Sequence, residues 1–101
     1  MQFSSKQIKH LRSLAHSIKP VVMIGQHGLS DNIHMEIDDA LRAHELIKIK
    51  LGAYEADKRK EVASFLCDHH HATHVQTIGK MLVMFKRNSK KPKIDIPKML
   101  K

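Results

Sequence analysis

The chain has 101 residues and a mass of 11.6 kDa, which is enough for one domain with a modest core and too little for two. Its 18 Lys and Arg against 10 Asp and Glu give a formal net charge of +8, so we expect a polyanionic partner. The sequence contains neither a stretch apolar enough for a membrane helix nor a secretory pattern, and one cysteine, Cys67, excludes an internal disulfide. We therefore expect a cytoplasmic protein.

The first predicted element is a helix capped by Ser4 or Ser5. It should end at Lys19, because the following Pro20 disfavours helical angles in the residue before it. One face of this helix is apolar, and the other carries Lys9 and Arg12. The apolar residues at helical spacing are Ile8, Leu11, Ala15 and Ile18.

A strand from Val21 to Ile24 comes next, and a second helix capped by Ser30 or Asp31 follows it. Residues 46–51 then alternate, with Lys48 and Lys50 on the side opposite the isoleucines, as in a half-buried strand. The outward side of that strand is positive.

A third helix fits Glu55 to His70, with Phe65 and a buried Cys67 near its apolar stripe. Two strands, 75–78 and 81–85, are joined at Gly79-Lys80 and form a hairpin. The order α-β-α-β-α-β-β predicts an α/β fold, a single domain with a mixed four-stranded sheet packed against helices. Which helices share a face is left open. We assign residues 1–86 to the domain and residues 87–101, rich in lysine and proline, to a basic tail.

Between the first strand and the second helix stands Gly25-Gln26-His27-Gly28. Two glycines let the backbone approach another molecule closely, and the helix N-terminus that follows favours a phosphate. The loop is similar in kind to the GxxG loop with which KH domains clamp single-stranded RNA. The same glycines could instead serve only a tight turn.

Several basic side chains could join this loop in one continuous face if the sheet brings them together. They are Lys9, Arg12, Lys19, Lys48, Lys50, Lys80, Lys86 and Arg87. With no Trp, one Tyr (Tyr54) and three Phe, of which two belong in the core, the chain lacks a base-stacking platform. Binding should depend on phosphates and shape, with strong salt dependence.

A histidine run, His69-His70-His71 with His74 nearby, raises the question of a metal. Consecutive helical side chains point about 100° apart, so three neighbours cannot converge on one ion, and a solvated helix end is the better interpretation. Cys67, if buried, is a poor nucleophile. We expect no metal, no cofactor, no small-molecule substrate and no enzyme, and a monomer.

Several spaced blocks together resemble a known family. They are Lys6-Gln7, Leu14-Ala15-His16, Lys19-Pro20-Val21-Val22, Gly25-x-x-Gly28-Leu29, Glu36-Ile37-x-x-Ala40-Leu41, His44 to Lys50, Val75-Gln76-x-Ile78-Gly79-Lys80-x-Leu82-Val83 and Lys93 to Lys98. In this order they resemble the CRM domain (chloroplast RNA splicing and ribosome maturation) in its stand-alone bacterial, YhbY-type form. The resemblance covers nearly the whole chain.

The resemblance implies a fold similar to the C-terminal domain of bacterial initiation factor three. It also implies RNA binding without catalysis, association with precursors of the large ribosomal subunit, and RNA contact through the Gly25 to Gly28 loop. The family often has a lysine inside that loop, whereas this chain has Gln26 and His27. Neighbouring lysines and helix amides would then supply the attraction.

Two other functions stay open. A general DNA-binding, nucleoid-type protein would suit the charge, although no recognition helix is evident, and competition between RNA and duplex DNA separates the two. A metal-dependent hydrolase would have to use the cluster from His69 to His74.

Overall fold

The computed structural model describes residues 3–94, which contain three helices and four strands in the predicted order. The elements are α1 (Ser5–Ala15), β1 (Val22–Met23), α2 (Asp31–His44), β2 (Leu46–Lys50), α3 (Ala56–His69), β3 (Thr73–Ile78) and β4 (Met81–Phe85). The strand order is β1-β2-β4-β3, with β1 parallel to β2 and the other pairs antiparallel. The predicted α/β fold with a mixed sheet is confirmed. Within residues 3–94 no helix combines the length and apolarity of a membrane span.

Helices cover both faces of the sheet. Alternation in β2 sends Ile47 and Ile49 into a core with α2 and α3, while Leu46 joins α1 on the other face. The α2/α3 side also buries Ile37, Leu41, Leu66 and Met84, and the α1 side buries Leu11, Ala15, Val75, Val83 and Phe85. Pairing a helix with each apolar face removes both from water, which stabilises the three-layer arrangement.

Helix α1 packs over one end of its sheet face, so the other end of that face stays open. Register places one row of side chains across all four strands on the α1 side: Met23, Lys50, Met81 and Ile78. Met23 and Ile78 are 61% and 64% exposed. We call this row the open row. It lies beyond the reach of α1, whose buried residues contact the other end of the sheet.

The end of α1 differs most from the sequence prediction, while β3 begins two residues earlier than expected and β1 and α3 are each shorter by one residue at both ends. The helix α1 ends at Ala15 rather than Lys19, because Ser17 and Ile18 donate from their amides to Leu14 and Ala15 in a tighter, i to i+3 turn. The Ser17 hydroxyl also donates to the Leu14 carbonyl, which competes with the helical bond.

Phe65 was expected in the core, and this is wrong, since its side chain is 48% exposed. The buried positions of α3 are Val62, Ala63, Leu66 and Cys67, and Phe65 lies at the edge of that face. Its ring packs instead on those of His34 and His69, at centroid distances of 6.2 and 5.4 Å.

Part of the predicted tail is bound to the domain through Glu45, a fully buried residue with φ of 64°. Its carboxylate accepts amide hydrogen bonds of 2.6 Å each from Asn88, Lys93 and Ile94. Ile94 also packs against the core on the α1 side. The remaining predicted tail, residues 95–101, lies outside the described residues.

Candidate nucleic-acid interface

The Gly25 to Gly28 segment forms an exposed turn directly after β1. The Gly28 amide donates to the Gly25 carbonyl at 3.0 Å, which closes the turn, and Gly28 has φ of +68°. A residue in this left-handed region is strained unless it is glycine. The amides of Gln26 and His27 donate to no other group of residues 3–94. The turn therefore offers two unpaired N–H donors to an outside acceptor.

The fold requires a glycine at one of these two positions and not at the other. Gly28 needs its backbone angle, and a Cβ there would also meet the Tyr54 hydroxyl at 3.5 Å. At Gly25 the φ angle lies outside the left-handed region, and no described atom would lie within 4 Å of an added Cβ. The fold does not require a glycine at position 25, whereas close approach of a ligand backbone would.

Helix α2 starts immediately after the turn. Ser30 is its N-cap, and its hydroxyl accepts from the Ile33 amide at 3.2 Å, as predicted for one of two candidate caps. The positive end of the helix dipole thus lies next to the turn. Asp31 stands in the first helical turn and offsets part of that positive charge.

Two of the predicted lysines lie at the same end of the sheet as this turn. The Ile24 amide donates to the Lys50 carbonyl at 2.8 Å, and the Leu51 amide donates to the Lys80 carbonyl at 2.7 Å. Lys50 is half-buried in the open row, and Lys80 is exposed in the hairpin next to it. The turn, the open row and the hairpin form one surface at this end of the sheet, with Lys50 in register with apolar residues of the open row.

The other predicted basic residues on the α1 side are more distant from the turn. Lys48 is half-buried one step back along β2, and Lys9 and Lys19 are exposed. Arg12 donates from Nε to the Val75 carbonyl at 3.1 Å, at the β-bulge of β3. Their positions are compatible with an extension of the same surface over α1.

Lys86 and Arg87 do not belong to that surface, so the expectation of one continuous basic face is wrong for these two residues. They follow β4 at the opposite end of the sheet from Lys80. The alternation of β4 turns Lys86 toward the α2/α3 side, where it lies near Asp38. With Arg42, Lys90 and Lys91 it lines a surface cavity of about 640 Å³.

Arg87 is held inside the fold. Its guanidinium donates to the Ile94 carbonyl at 2.7 Å and lies 3.5 Å from the Glu45 carboxylate. It also stands 5.6 Å from the ring centroid of Phe85. These contacts give Arg87 a structural role in fixing residues 88–94.

The sequence interpretation missed three features of the described residues. The open row could have been found from alternation in β1, β3 and β4, had the reach of α1 been known. No sequence pattern indicated that Glu45 is buried, because its role depends on amides more than 40 positions away. No sequence pattern indicated the position of His34 either, since its partners His69 and His70 lie at the end of another helix.

The histidine run is not a solvated helix end at His70, which is 2% exposed. Its Nδ1 lies 2.6 Å from the Asp38 carboxylate, and its Nε2 lies 2.8 Å from Nδ1 of His34. Burial, followed by the electrostatic effect of the neighbouring His69 and His70, lowers the pKa of His34. Cys67 is buried, and burial followed by the charge of Asp68 raises its pKa to about 11, so the thiol stays protonated at neutral pH.

Comparison with known proteins gives relatives that match most of the chain. A protein of Haemophilus influenzae named as an RNA-binding protein is 39% identical over 94% of this chain and 95% of its own length. Proteins named as probable RNA-binding proteins match in Pseudomonas aeruginosa, at 37% identity over 89% and 86% of the two chains, and in Bacillus subtilis, at 34% over 93% and 98%.

The fold has a solved counterpart in the solution structure of a Staphylococcus aureus protein. It superposes with a TM-score of 0.81 at 36% identity, covering 95% of this chain and all of that one. The family model of the CRS1/YhbY (CRM) domain matches residues 3–86. The chain therefore belongs to the CRS1/YhbY (CRM) domain family, in agreement with the resemblance found in its sequence.

Proposed function

We propose that this protein binds structured ribosomal RNA, without catalysing a reaction, during assembly of the large ribosomal subunit. The observation that carries the proposal is the exposed turn at Gly25, where the backbone is bare although the fold itself does not need a glycine. The net charge of +8 and relatives named as RNA-binding proteins support the same partner class.

The contact starts with a phosphate at the turn. The unpaired amides of Gln26 and His27 donate to its oxygens, and the N-terminus of α2 adds the positive end of its dipole. Lys50 and Lys80, at the same end of the sheet, neutralise neighbouring phosphates. Since this chain has no lysine within the turn, these two lysines supply the nearest full positive charges on that surface.

The open row gives the RNA a second kind of contact. Met23, Met81 and Ile78 offer apolar side chains on either side of Lys50, against which sugars or unpaired bases can pack, and the two methionines are flexible. None of the four is aromatic, so base stacking contributes little. We therefore expect recognition of RNA shape, with modest sequence preference.

The test compares two substitutions at one position, Gly25→Asp and Gly25→Asn. Both side chains have the same size and enter open space, so both variants should keep the stability of the parent protein. A unit charge about 4 Å from a phosphate costs about 1 kcal/mol in water, so Gly25→Asp should weaken binding to a large-subunit ribosomal RNA fragment at least about fivefold at low salt. The Asn variant adds the same volume without the charge, so it should lose only what close approach at position 25 contributes and should bind more tightly than the Asp variant, which also carries the repulsion.

Competition in the same assay tests the choice of RNA. Unlabelled large-subunit fragments should displace the probe at lower concentration than small-subunit fragments or duplex DNA of equal length. Binding of both variants with the affinity of the parent protein would remove the turn from the interface, and preferential displacement by duplex DNA would show that DNA rather than RNA is the partner.

A further inference from the structure

Three imidazole rings from two helices meet on the α2/α3 side of the domain. His34 comes from the first turns of α2, and His69 and His70 from the C-terminal end of α3. Their ring centroids are 4.4 Å apart for His34–His69, 4.9 Å for His69–His70 and 5.0 Å for His34–His70. One nitrogen of each ring lies within 4.8 Å of one nitrogen of both others.

These separations suit three ligands on one metal ion. With Zn–N bonds of about 2.0–2.1 Å and tetrahedral angles, the centroids of two bound imidazoles lie about 5 Å apart. Two nitrogens, His34 Nδ1 and His70 Nε2, are already 2.8 Å apart, and an ion between them needs them to separate by about 0.5 Å. The argument against three consecutive histidines does not apply here, because α3 ends at His69 and the third ligand comes from α2.

A carboxylate holds the buried ring in the orientation that such a site needs. The Nδ1–H of His70 faces Asp38 at 2.6 Å, which leaves Nε2 with its lone pair directed at the cluster. Metal-binding histidines commonly donate their second ring nitrogen to a carboxylate in this way. Asp38 also brings a negative charge to a protein that is otherwise strongly positive.

We propose that His34, His69 and His70 bind one divalent transition-metal ion of the Zn²⁺ type, with Asp38 as the residue that positions His70. Three neutral imidazoles select Zn²⁺, Co²⁺, Ni²⁺ or Cu²⁺ over Mg²⁺ and Ca²⁺, which prefer oxygen ligands. His69 is exposed, so a fourth position is open to water.

The ion would link two helices close to the proposed RNA-binding turn. The His34 amide donates to the Ser30 carbonyl, so this ligand lies one helical turn after the cap of α2. A bound metal would thus fix the N-terminus of α2 to the C-terminus of α3. This site is independent of the proposed RNA binding, since neither its ligands nor its chemistry requires RNA.

The experiment titrates untagged protein with Zn²⁺ against a chromophoric chelator, and with Co²⁺ while its visible absorption is recorded. The parent protein should bind one ion and give the intense visible bands of a four-coordinate Co²⁺ site. Loss of an outer partner such as Asp38 alone typically weakens metal binding about 10–100-fold, so Asp38→Asn should fall in that range, and His34→Gln and His69→Gln should lose at least as much.

The matched control is His44→Gln, which removes one exposed histidine from the same helix as His34 and should leave affinity and spectrum unchanged. Circular dichroism checks that each variant is folded. If His34→Gln is unstable, His69→Gln still tests the site, because it alters only an exposed side chain. A parent protein without a saturable 1:1 site overturns the proposal. The proposal is also overturned if His44→Gln loses as much metal affinity as the ligand variants, or if both His34→Gln and His69→Gln keep the affinity of the parent protein.

Discussion

At the scale of single residues, Glu45 shows how a buried charge can be satisfied by backbone. Its carboxylate has no exposure, yet it receives three amide hydrogen bonds and faces the guanidinium of Arg87. Burial disfavours the ionised form, but the hydrogen bonds and the Arg87 charge outweigh burial, and the pKa of Glu45 is lowered. Together with Arg87, this side chain holds residues 88–94 in position.

We predict that Glu45→Gln lowers the free energy of unfolding by about 2–3 kcal/mol, since hydrogen bonds to a charged group contribute about 1.5–3 kcal/mol and the amide keeps only part of them. Urea denaturation measures the change. Amide exchange of Asn88, Lys93 and Ile94 should also become faster. Glu36→Gln, at an exposed site, should change stability by less than about 0.5 kcal/mol. Equal effects of the two substitutions would contradict the role of Glu45.

At the scale of elements, local signals determined most helix starts. Ser4 forms a capping box with Gln7, and Ser30 caps α2, in both cases within the pair of residues that the sequence offered. Helix α3 differs, because its N-cap residue, Glu55, makes no side-chain hydrogen bond to the helix although its backbone has suitable extended angles. A longer side chain than Asp or Ser is poorly placed to reach the N2 and N3 amides.

Glu55→Asp should therefore raise the free energy of unfolding by about 0.5–1 kcal/mol, because Asp keeps the charge and accepts from an unpaired amide of the first turn. The thermal midpoint, measured by circular dichroism, should rise accordingly. Glu55→Ala provides the control, and it should not raise the thermal midpoint. A lower midpoint for the Asp variant would show that Glu55 already contributes more than its lack of a cap bond suggests.

At the scale of the whole molecule, stability should fall as the solution is acidified, in two steps. Burial, followed by the charge of Arg12, lowers the pKa of His74 below its ordinary 6.5, so the unfolded chain takes up this proton first. The contribution of His74 to the free energy of unfolding, like that of His34, whose pKa is also lowered, is complete above pH 6.5 and decreases below it. Glu45, with a pKa below its ordinary 4.5, contributes above pH 4.5 and loses that contribution as pH falls further.

Urea midpoints of metal-free protein between pH 8 and pH 3.5 measure these steps. His74→Gln should flatten the curve just below pH 6.5, and it keeps a partner for Thr77, whose hydroxyl lies 2.7 Å from His74 Nε2. Glu45→Gln should flatten the curve below pH 4.5. Stability that increases from pH 7 to pH 5.5 would contradict the direction given for His74.

The sequence by itself determined the order of the elements, the hairpin at Gly79, the glycine turn before α2 and the family. The first three depend on neighbours within a few positions, where hydrophobic period, caps and backbone angles act directly, and the family depends on the order of spaced blocks along the sequence. Only the tertiary structure decided that α1 covers part of one face, that Lys86 and Arg87 leave the basic surface, and that His34 meets His69 and His70. Those outcomes depend on strand register and helix placement, which bring together residues far apart in the chain. The spacing of residues within one element does not predict them.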